Sequence, residues 1–469
     1  MNMKNFKSIK EDIKKVYKAY NRPFVIGFSG GKDSSVVLQL VFEALGELPK
    51  KELTNTIHVM TSDTLVEMPY IINFIDQNLE SIDEEAKKKN LPVLVHKLRP
   101  EVHQTFWVNL IGKGYPAPSR MFRWCTERLK IAPVDKFIKE EVSKYGEVTI
   151  AIGARKSESV SRNQVLSKKK RDALGLSKHP NLSAAFVYTP IEDLTADDVW
   201  EYLMTVKNSF KTMNRNLLSM YKGAAGGECP MVIDSSTPSC GKSRFGCWVC
   251  TLVEKDVTME NLIQSGENWM LPLLDFRDLL NETQDPKMKA KYRSYKRRNG
   301  RATLVRDKSK LSYGPYKMKY RKLFLKTLLE CQEELNESKP DMNLELITFD
   351  ELEYIRKIWR DEEHDWEDSV PKIYKDVVGE FHDWLEDDGI KFLYDDFEML
   401  DSICKDENVP TSLIAKLIDV ERKFEGLTRR SGILNNFEKV FSEEWRSEEE
   451  VIKNDVVIEE KEREMNNEN

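Results

Sequence analysis

The first part of the chain alternates short apolar runs with longer amphipathic segments. Five runs have strand length and are rich in β-branched or aromatic residues: Phe24–Phe28, Thr56–Met60, Pro92–Leu98, Val148–Ile152 and Ala185–Tyr188. Between them, apolar positions recur with helical spacing, as in Ala132–Tyr145. This alternation predicts an α/β fold with a doubly wound, mainly parallel sheet.

The pattern changes beyond the last of these strands and divides the chain into four predicted regions. Residues 1–206 form the sheet domain, and residues 207–330 hold four cysteines and a strongly basic segment. Residues 331–446 are acidic with helical periodicity, which predicts a largely helical C-terminal region. Residues 447–469 are highly charged and poor in aromatic residues, so we expect a disordered tail.

Candidate ligand-binding residues follow three of the predicted strands. Ser29, Asp63 and Arg155 each lie just past a strand end. Parallel α/β sheets bind ligands at the carboxyl ends of their strands. We therefore expect these three side chains to lie at one edge of the sheet.

The first of these strands leads into the sequence SGGKDS, Ser29 to Ser34. Gly30 and Gly31 permit backbone conformations that side chains forbid, and Ser34 is a candidate cap for the following helix. A glycine turn between a strand and a helix N-terminus presents free N–H groups to a phosphate, and Lys32 adds a positive charge. Asp33 follows the lysine where a Walker loop requires Ser or Thr, so this is a different phosphate-binding loop.

Composition limits the class of protein. The 469 residues include no apolar run long enough to span a membrane, and the N-terminus lacks the apolar core of a signal peptide. We expect a cytoplasmic protein without membrane contact. In that reducing environment the seven cysteines are better suited to metal binding or catalysis than to disulfides.

Four of the cysteines have the spacing of a metal site. Cys229, Cys240, Cys247 and Cys250 read as C-x10-C-x6-C-x2-C, which supplies four thiolate ligands. Zinc and an iron–sulfur cluster both satisfy that count, and spacing alone does not distinguish them.

Cys125 lies apart from that group in the sequence RWCTERLK. Its basic neighbours predict a lowered pKa and a reactive thiolate. It is either a ligand that replaces Cys229 or a thiol that carries sulfur. Cys331 and Cys404 fall in helical patterns and are expected to be structural.

The basic segment Lys287–Lys326 contains sixteen lysines or arginines and one acid, Asp307, in a chain of net charge −6. Tyrosines are interleaved with the cations at positions 292, 295, 313, 316 and 320. Phosphates attract such charge and tyrosines can stack on bases, so DNA contact is predicted here. Pairing with the acidic C-terminal region is the alternative.

Several motifs together resemble one family. SGGKDS, TSDT, RWCTERLKIAPV, GARKSES and TPIEDLTADDVWEYL occur in the order found in phosphoadenosine-phosphosulfate reductase-like proteins with a PP-loop, the phosphate loop of ATP pyrophosphatases. The segment CPMVIDSSTPSCGKSRFGCWVC resembles the cysteine region of DndC-like DNA phosphorothioation sulfurtransferases.

This resemblance implies ATP pyrophosphatase chemistry, Mg²⁺, a 4Fe–4S cluster on the four spaced cysteines, and sulfur transfer to the DNA backbone. A cysteine desulfurase as sulfur donor and other subunits of a DNA-modification complex are the implied partners. We expect the nucleotide to contact Ser29, Gly30, Gly31, Lys32, Asp33, Ser34, Asp63, Arg155 and Arg162. The residues expected to act in catalysis are Lys32, Asp63, Cys125 and Arg155.

Two other functions fit parts of the sequence. A sulfonucleotide reductase is disfavoured because the chain lacks the C-terminal Glu-Cys-Gly-Leu-His motif of those enzymes. A non-catalytic scaffold that binds nucleotide and cluster within a modification complex is the other alternative.

Overall fold

A computed structural model of the chain describes residues 3–210, 214–224, 246–304, 311–380, 382–384, 394–451 and 453. The described residues form two compact units. The first comprises residues 1–106, 120–277 and 338–344, and the second comprises residues 107–119, 278–337 and 345–469, each within the described ranges. The four-region division of the sequence stays a prediction.

The first unit is built on a six-stranded sheet. Its strands are β1 (Phe24–Gly27), β2 (Ile57–Ser62), β3 (Val93–Leu98), β4 (Val148–Ala151), β5 (Ser177–Lys178) and β6 (Ala185–Tyr188). They lie in the order β3-β2-β1-β4-β6-β5, and all neighbours are parallel except the β5–β6 pair. This confirms the doubly wound α/β fold. The sequence pattern missed β5 because two residues are too few to show an alternation.

The helices of the first unit are α1 (Met3–Ala19), α2 (Lys32–Gly46), α3 (Pro69–Lys89), α4 (Ala132–Tyr145), α5 (Val160–Lys168), α6 (Ala196–Thr205), α7 (Asn214–Ala224) and α8 (Val257–Gln264). A further helix, α9 (Leu271–Glu282), begins in this unit. Ala132–Tyr145 is the helix predicted from periodicity. A π-helical turn of this unit, Thr126–Ile131, leads into α4, and another, Val108–Gly112, belongs to the second unit.

The core of the sheet explains the strand assignments. Val25, Ile150 and Ala185 are almost fully buried and pack against Phe137 and Ile138 of α4. Strands buried on both faces read as continuous apolar runs, which is the pattern seen in the sequence. β1 lies centrally between β2 and β4, so the loops after these three strands leave the sheet at the same edge.

The second unit is mainly helical in the residues that are described, with isolated β-bridges such as that of Arg293 with Tyr316. Its helices are α10 (Lys289–Tyr292), α11 (Met318–Ser338), α12 (Phe349–Glu363), α13 (Ser369–Val378), α14 (Tyr394–Asp406), α15 (Thr411–Lys423) and α16 (Ile433–Phe441). Trp359 is fully buried and donates from Nε1 to the Ile111 carbonyl at 3.0 Å, and the buried Arg321 donates from Nε to the same carbonyl at 2.7 Å. None of the described helices combines the length and the hydropathy needed to cross a membrane.

Candidate active site and thiol cluster

The SGGKDS loop joins β1 to α2 with the geometry of an anion-binding turn. Gly30 has φ +71°, a left-handed conformation that favours glycine. Gly31 precedes the first residue of α2, so the amides of Lys32 and Asp33 belong to the free N–H groups of a helix N-terminus. The loop can therefore bind a phosphate through backbone donors.

Ser34 does not cap α2, contrary to the sequence prediction. It is the third residue of the helix, and its hydroxyl donates to the Gly31 carbonyl at 3.0 Å. The same oxygen accepts from the Ser29 amide at 3.2 Å and lies 3.1 Å from the Ser29 hydroxyl. Ser29 and Ser34 thus stabilise the loop from within.

Arg155 contacts the loop, as its position after β4 predicted. It is almost fully buried, and its Nε donates to Asp33 Oδ1 at 2.6 Å. Asp33 Oδ2 lies 3.5 Å from the Lys32 ammonium, so three charged groups meet at the first turn of α2. A bound nucleotide would meet two cations and one carboxylate here.

Gly153 is a residue whose role the sequence did not reveal. A Cβ atom at this position would lie 2.7 Å from the Asp33 carbonyl carbon and 2.9 Å from the Ser34 nitrogen. Only glycine lets the end of β4 approach the start of α2 this closely. The close approach brings Arg155 within reach of Asp33.

Tyr221 of α7 is the second residue that sequence reasoning missed. Its hydroxyl accepts a hydrogen bond from the Lys32 amide at 3.4 Å, and the Lys32 ammonium lies 5.4 Å from its ring centroid. The ring is buried and packs edge-on against Trp200 at 5.1 Å. The Tyr221 hydroxyl therefore occupies the position from which a phosphate oxygen would accept a hydrogen bond from the Lys32 amide.

Asp63 lies just past β2, as predicted, and is almost fully buried. It accepts from Arg99 Nε at 2.9 Å and lies 3.4 Å from the Lys97 ammonium. Its other oxygen accepts from the Leu65 amide at 3.0 Å, which shapes the loop that follows. In this structure Asp63 pairs with cations of the β3 end.

Arg162 is not brought to the loop within the described residues. It lies in the first turn of α5, where it forms an exposed ion pair with Glu158 at 3.0 Å. Its predicted contact with nucleotide stays a prediction.

The loop after β2 connects the nucleotide edge to a group of thiols. Cys247 pairs with Glu67 in an isolated antiparallel bridge, and the Trp248 amide donates to the Val66 carbonyl at 3.0 Å. The Thr64 hydroxyl lies 3.5 Å from Cys247 Sγ. The residue directly after Asp63 therefore contacts a cysteine of the C-x2-C pair.

The C-x2-C pair is held by a buried arginine of α9. The Cys250 amide donates to the Cys247 carbonyl at 3.1 Å, which closes the turn. Arg277 donates from Nε to the Cys250 carbonyl at 3.3 Å and also binds the carbonyls of Val253 and Glu254. Arg277 is 1% exposed, so it binds these backbone carbonyls rather than solvent.

Cys125 lies in the same compact unit as the C-x2-C pair, and a charge on Cys250 would raise its pKa. It directly precedes the π-helical turn Thr126–Ile131, which leads into α4. Lys130 from that turn pairs at 3.3 Å with Glu67, the partner of Cys247 in the β-bridge. Cys125 and the Cys247–Cys250 pair, which are far apart in the sequence, thus belong to the same compact unit.

The thiols are not activated as the sequence predicted. Burial raises the pKa of Cys125, and the opposing effect of Arg123 is smaller. Burial and the Glu67 carboxylate raise the pKa of Cys247 to about 12, against Lys130 and Thr64. The expected low-pKa thiolate at Cys125 is therefore wrong for this state of the protein, because desolvation outweighs the basic neighbours.

Two of the four predicted ligands, Cys229 and Cys240, lie outside the described residues. Among the residues that are described, no three Cys, His, Asp or Glu side chains are gathered closely enough to hold a metal ion. The donor chemistry of Cys125, Cys247 and Cys250 suits a thiolate-ligated centre, but these three alone do not form a ligand set. Cys331 and Cys404 are buried within helices of the second unit, which agrees with a structural role.

In the second unit, the basic segment Lys287–Lys326 is partly paired with acids. Arg298 pairs with Glu362 at 3.2 Å, Arg321 with Glu363 at 2.7 Å, and Lys322 with Asp365 at 3.0 Å. Tyr292 and Tyr316 are buried and cannot stack on bases, so that part of the prediction is wrong. The alternative of pairing with the acidic C-terminal region applies to these three cations.

Comparison with known proteins agrees with the sheet and the loop. Residues 23–252 match the phosphoadenosine phosphosulfate reductase domain family. Two uncharacterized proteins of Methanocaldococcus jannaschii, MJ0066 and MJ0973, are 27% identical over 242 residues and 29% identical over 194 residues. These matches cover 52% and 41% of this chain but only 39% of each relative, so the chain spans well under half of their length.

Two solved structures are also similar. Phosphoadenylyl-sulfate reductase from Candida auris, in a phosphate complex, is 11% identical with a TM-score of 0.27, over 45% of this chain and 90% of that one. The U34-tRNA thiolase NcsA from Methanococcus maripaludis, solved with its 4Fe–4S cluster, is 14% identical with a TM-score of 0.29, over 59% and 79%. From the family match and the sheet that carries SGGKDS, we conclude that residues 23–252 form a phosphoadenosine phosphosulfate reductase-like domain of the PP-loop superfamily.

Proposed function

We propose that the chain is an ATP pyrophosphatase that transfers sulfur to the DNA backbone as part of a DNA phosphorothioation system. One observation carries the proposal. The phosphate-binding loop follows β1, and the loop after the neighbouring strand β2 carries Asp63 and Thr64, whose hydroxyl lies 3.5 Å from Cys247 Sγ. Phosphate activation and sulfur chemistry would thus take place on adjacent loops of one unit.

In the proposed reaction, ATP binds with its β- and γ-phosphates on the amides of the Ser29–Ser34 loop. Lys32 and Arg155 stabilise negative charge that develops when the bond between the α- and β-phosphates breaks. Mg²⁺, when bound, would neutralise the pyrophosphate. The non-bridging oxygen of a DNA phosphate attacks the α-phosphate, pyrophosphate leaves, and the oxygen becomes part of an AMP leaving group.

The thiols of the first unit would handle sulfur next to this site. A 4Fe–4S cluster would supply a centre that holds reduced sulfur. Cys247 and Cys250 are the proposed ligands that the structure describes. Cys125, in the same unit, is either a further ligand or the thiol that carries sulfur, and the iron content of a Cys125→Ser variant distinguishes the two roles.

The test is pyrophosphate release from ATP by the full chain, with Lys32→Ala and Ser34→Ala as variants. We expect each variant to lower the rate at least about 100-fold, the scale of losing one placed electrostatic group. Lys156→Ala, which changes a half-buried lysine beside Arg155 that pairs with Asp193 and Glu192, is the matched control and should keep the native rate. Full activity in both loop variants would remove SGGKDS from the active site.

Sulfur transfer needs its own measurement. Deleting the gene in its host should abolish phosphorothioate in DNA digests analysed by mass spectrometry. Turnover of adenylyl sulfates with a thiol reductant would instead identify a sulfonucleotide reductase, which the family match also fits. If the chain binds ATP but neither releases pyrophosphate nor turns over adenylyl sulfates, it is a scaffold.

A further inference from the structure

The turn Arg120–Arg123 presents an unusual surface directly before Cys125. All four side chains are exposed, with Met121 at 96% and Phe122 at 46% of their full accessible area. Two large apolar side chains in succession on a turn leave water-exposed area that folding has not buried. A surface of this kind indicates a contact with another molecule.

The turn is held at its base rather than loosely attached. Trp124 is buried and stacks on Phe106, with ring centroids 5.2 Å apart and an interplanar angle of 26°. Cys125 follows at once and enters the π-helical turn. Trp124 therefore anchors both the exposed turn and Cys125. A molecule that binds to the turn is thus held near the Cys125 thiol.

The charge of the turn selects the class of partner. Arg120 and Arg123 form no ion pair with a carboxylate in the described part of the chain, whereas the nearby Lys130 pairs with Glu67. Residues 119–130 hold four cations, Arg120, Arg123, Arg128 and Lys130, against one acid, Glu127. Two arginines that flank an exposed aromatic ring match the two recognition elements of a single strand, phosphate and base face.

We propose that the turn Arg120–Arg123 docks a single strand of nucleic acid, with Phe122 stacked on an unpaired base and the two arginines on flanking phosphates. The inference rests on the proposed function, because it assigns the substrate strand to the thiols at that site. It also places the strand contact in the first unit, separately from the basic segment Lys287–Lys326.

The experiment measures binding of fluorescent DNA and RNA oligonucleotides to the full chain by anisotropy, across a salt series. Phe122→Ala should weaken single-strand binding about tenfold, which corresponds to about 1.4 kcal/mol, and Phe122→Trp should restore it. Arg120→Gln with Arg123→Gln should reduce the log–log salt slope by about 1.4, since each phosphate contact on a single strand contributes about 0.7. The DNA and RNA arms identify the type of strand.

The chain offers matched controls at the opposite edge of the sheet. Tyr145→Ala removes an aromatic ring that is 49% exposed, and Lys50→Gln with Lys51→Gln removes two exposed cations. Both controls should bind as the native chain does, and the unfolding temperatures of all variants should agree.

Native-like binding by Phe122→Ala and by the double arginine variant would overturn the inference, as would the absence of single-strand binding by the native chain. Failure of the proposed function has a different signature. In that case the native chain would bind strands through the turn but release no pyrophosphate and leave no phosphorothioate in DNA.

Discussion

Arg155 Nε lies 2.6 Å from Asp33 Oδ1, and this bond joins the end of β4 to the first turn of α2. The guanidinium is 3% exposed and also donates to the Ser157 hydroxyl at 2.8 Å. This ion pair orders the PP-loop before the nucleotide binds. A site that is already ordered needs no reorganisation during the reaction.

Arg155→Met should therefore destabilise the fold as well as the site. Removing one partner of a buried pair leaves the other charge uncompensated, at a cost of roughly 3 kcal/mol. Chemical denaturation measures this loss. Lys156→Met, which breaks an exposed pair with Asp193, should cost about 1 kcal/mol or less, and equal losses in the two variants would contradict the assigned role.

Tyr221→Phe should tighten ATP binding. The hydroxyl accepts from the Lys32 amide, so a phosphate that uses this amide must displace it. Losing one neutral hydrogen bond of about 1 kcal/mol predicts a change of about fivefold in Kd, measured by calorimetry. Tyr202→Phe, whose hydroxyl donates to Glu43 at 2.9 Å, is the control. Weaker binding by Tyr221→Phe would mean that the hydroxyl donates to ATP instead.

The cysteine assignments are tested by iron and sulfide content after anaerobic purification. Cys247→Ser and Cys250→Ser should lose iron and visible absorbance, while Cys331→Ser and Cys404→Ser should keep both. Cys125→Ser should also lose iron if the side chain is a ligand beside Cys250. Full iron content in Cys125→Ser, combined with failure to modify DNA, would assign it as the sulfur-carrying thiol.

Stability should fall as the pH is lowered below about 6.5, through the buried His58 and the half-buried His96. His58 Nδ1 lies 2.9 Å from His96 Nε2, and His58 Nε2 lies 3.2 Å from the Glu141 carboxylate. Burial lowers the pKa of both histidines, more than Glu141 raises it. Between pH 6.5 and the lowered pKa values of the folded state, the unfolded chain therefore binds more protons than the folded chain. Folding stability is thus lost as the pH falls through that window.

Each histidine can contribute a slope of up to about 1.4 kcal/mol per pH unit within this window. His58→Phe should flatten the pH dependence of the free energy of unfolding below pH 6.5. His103→Phe, which changes a histidine outside the group of His58, His96 and Glu141, is the matched control. An unchanged acid slope in His58→Phe would place the titrating group elsewhere.

The sheet and the phosphate-binding loop could be predicted from the sequence. Five of the six strands and the helix Ala132–Tyr145 follow from hydrophobic periodicity, because buried parallel strands and amphipathic helices must repeat at fixed intervals. The strand–SGGKDS–helix order likewise fixed the PP-loop and its left-handed Gly30, since the motif is contiguous and local backbone geometry shapes it.

Which distant residues meet depends on the tertiary structure. No local pattern places Tyr221 on Lys32, Gly153 against Asp33, or Thr64 against Cys247, because these contacts depend on how helices and loops pack on the sheet. Burial also reverses the expected direction of the Cys125 pKa shift. Desolvation depends on the surrounding fold, and the basic residues next to Cys125 in the sequence do not indicate how deeply the thiol is buried. Sequence identifies the chemical groups, and packing determines their partners and their charge.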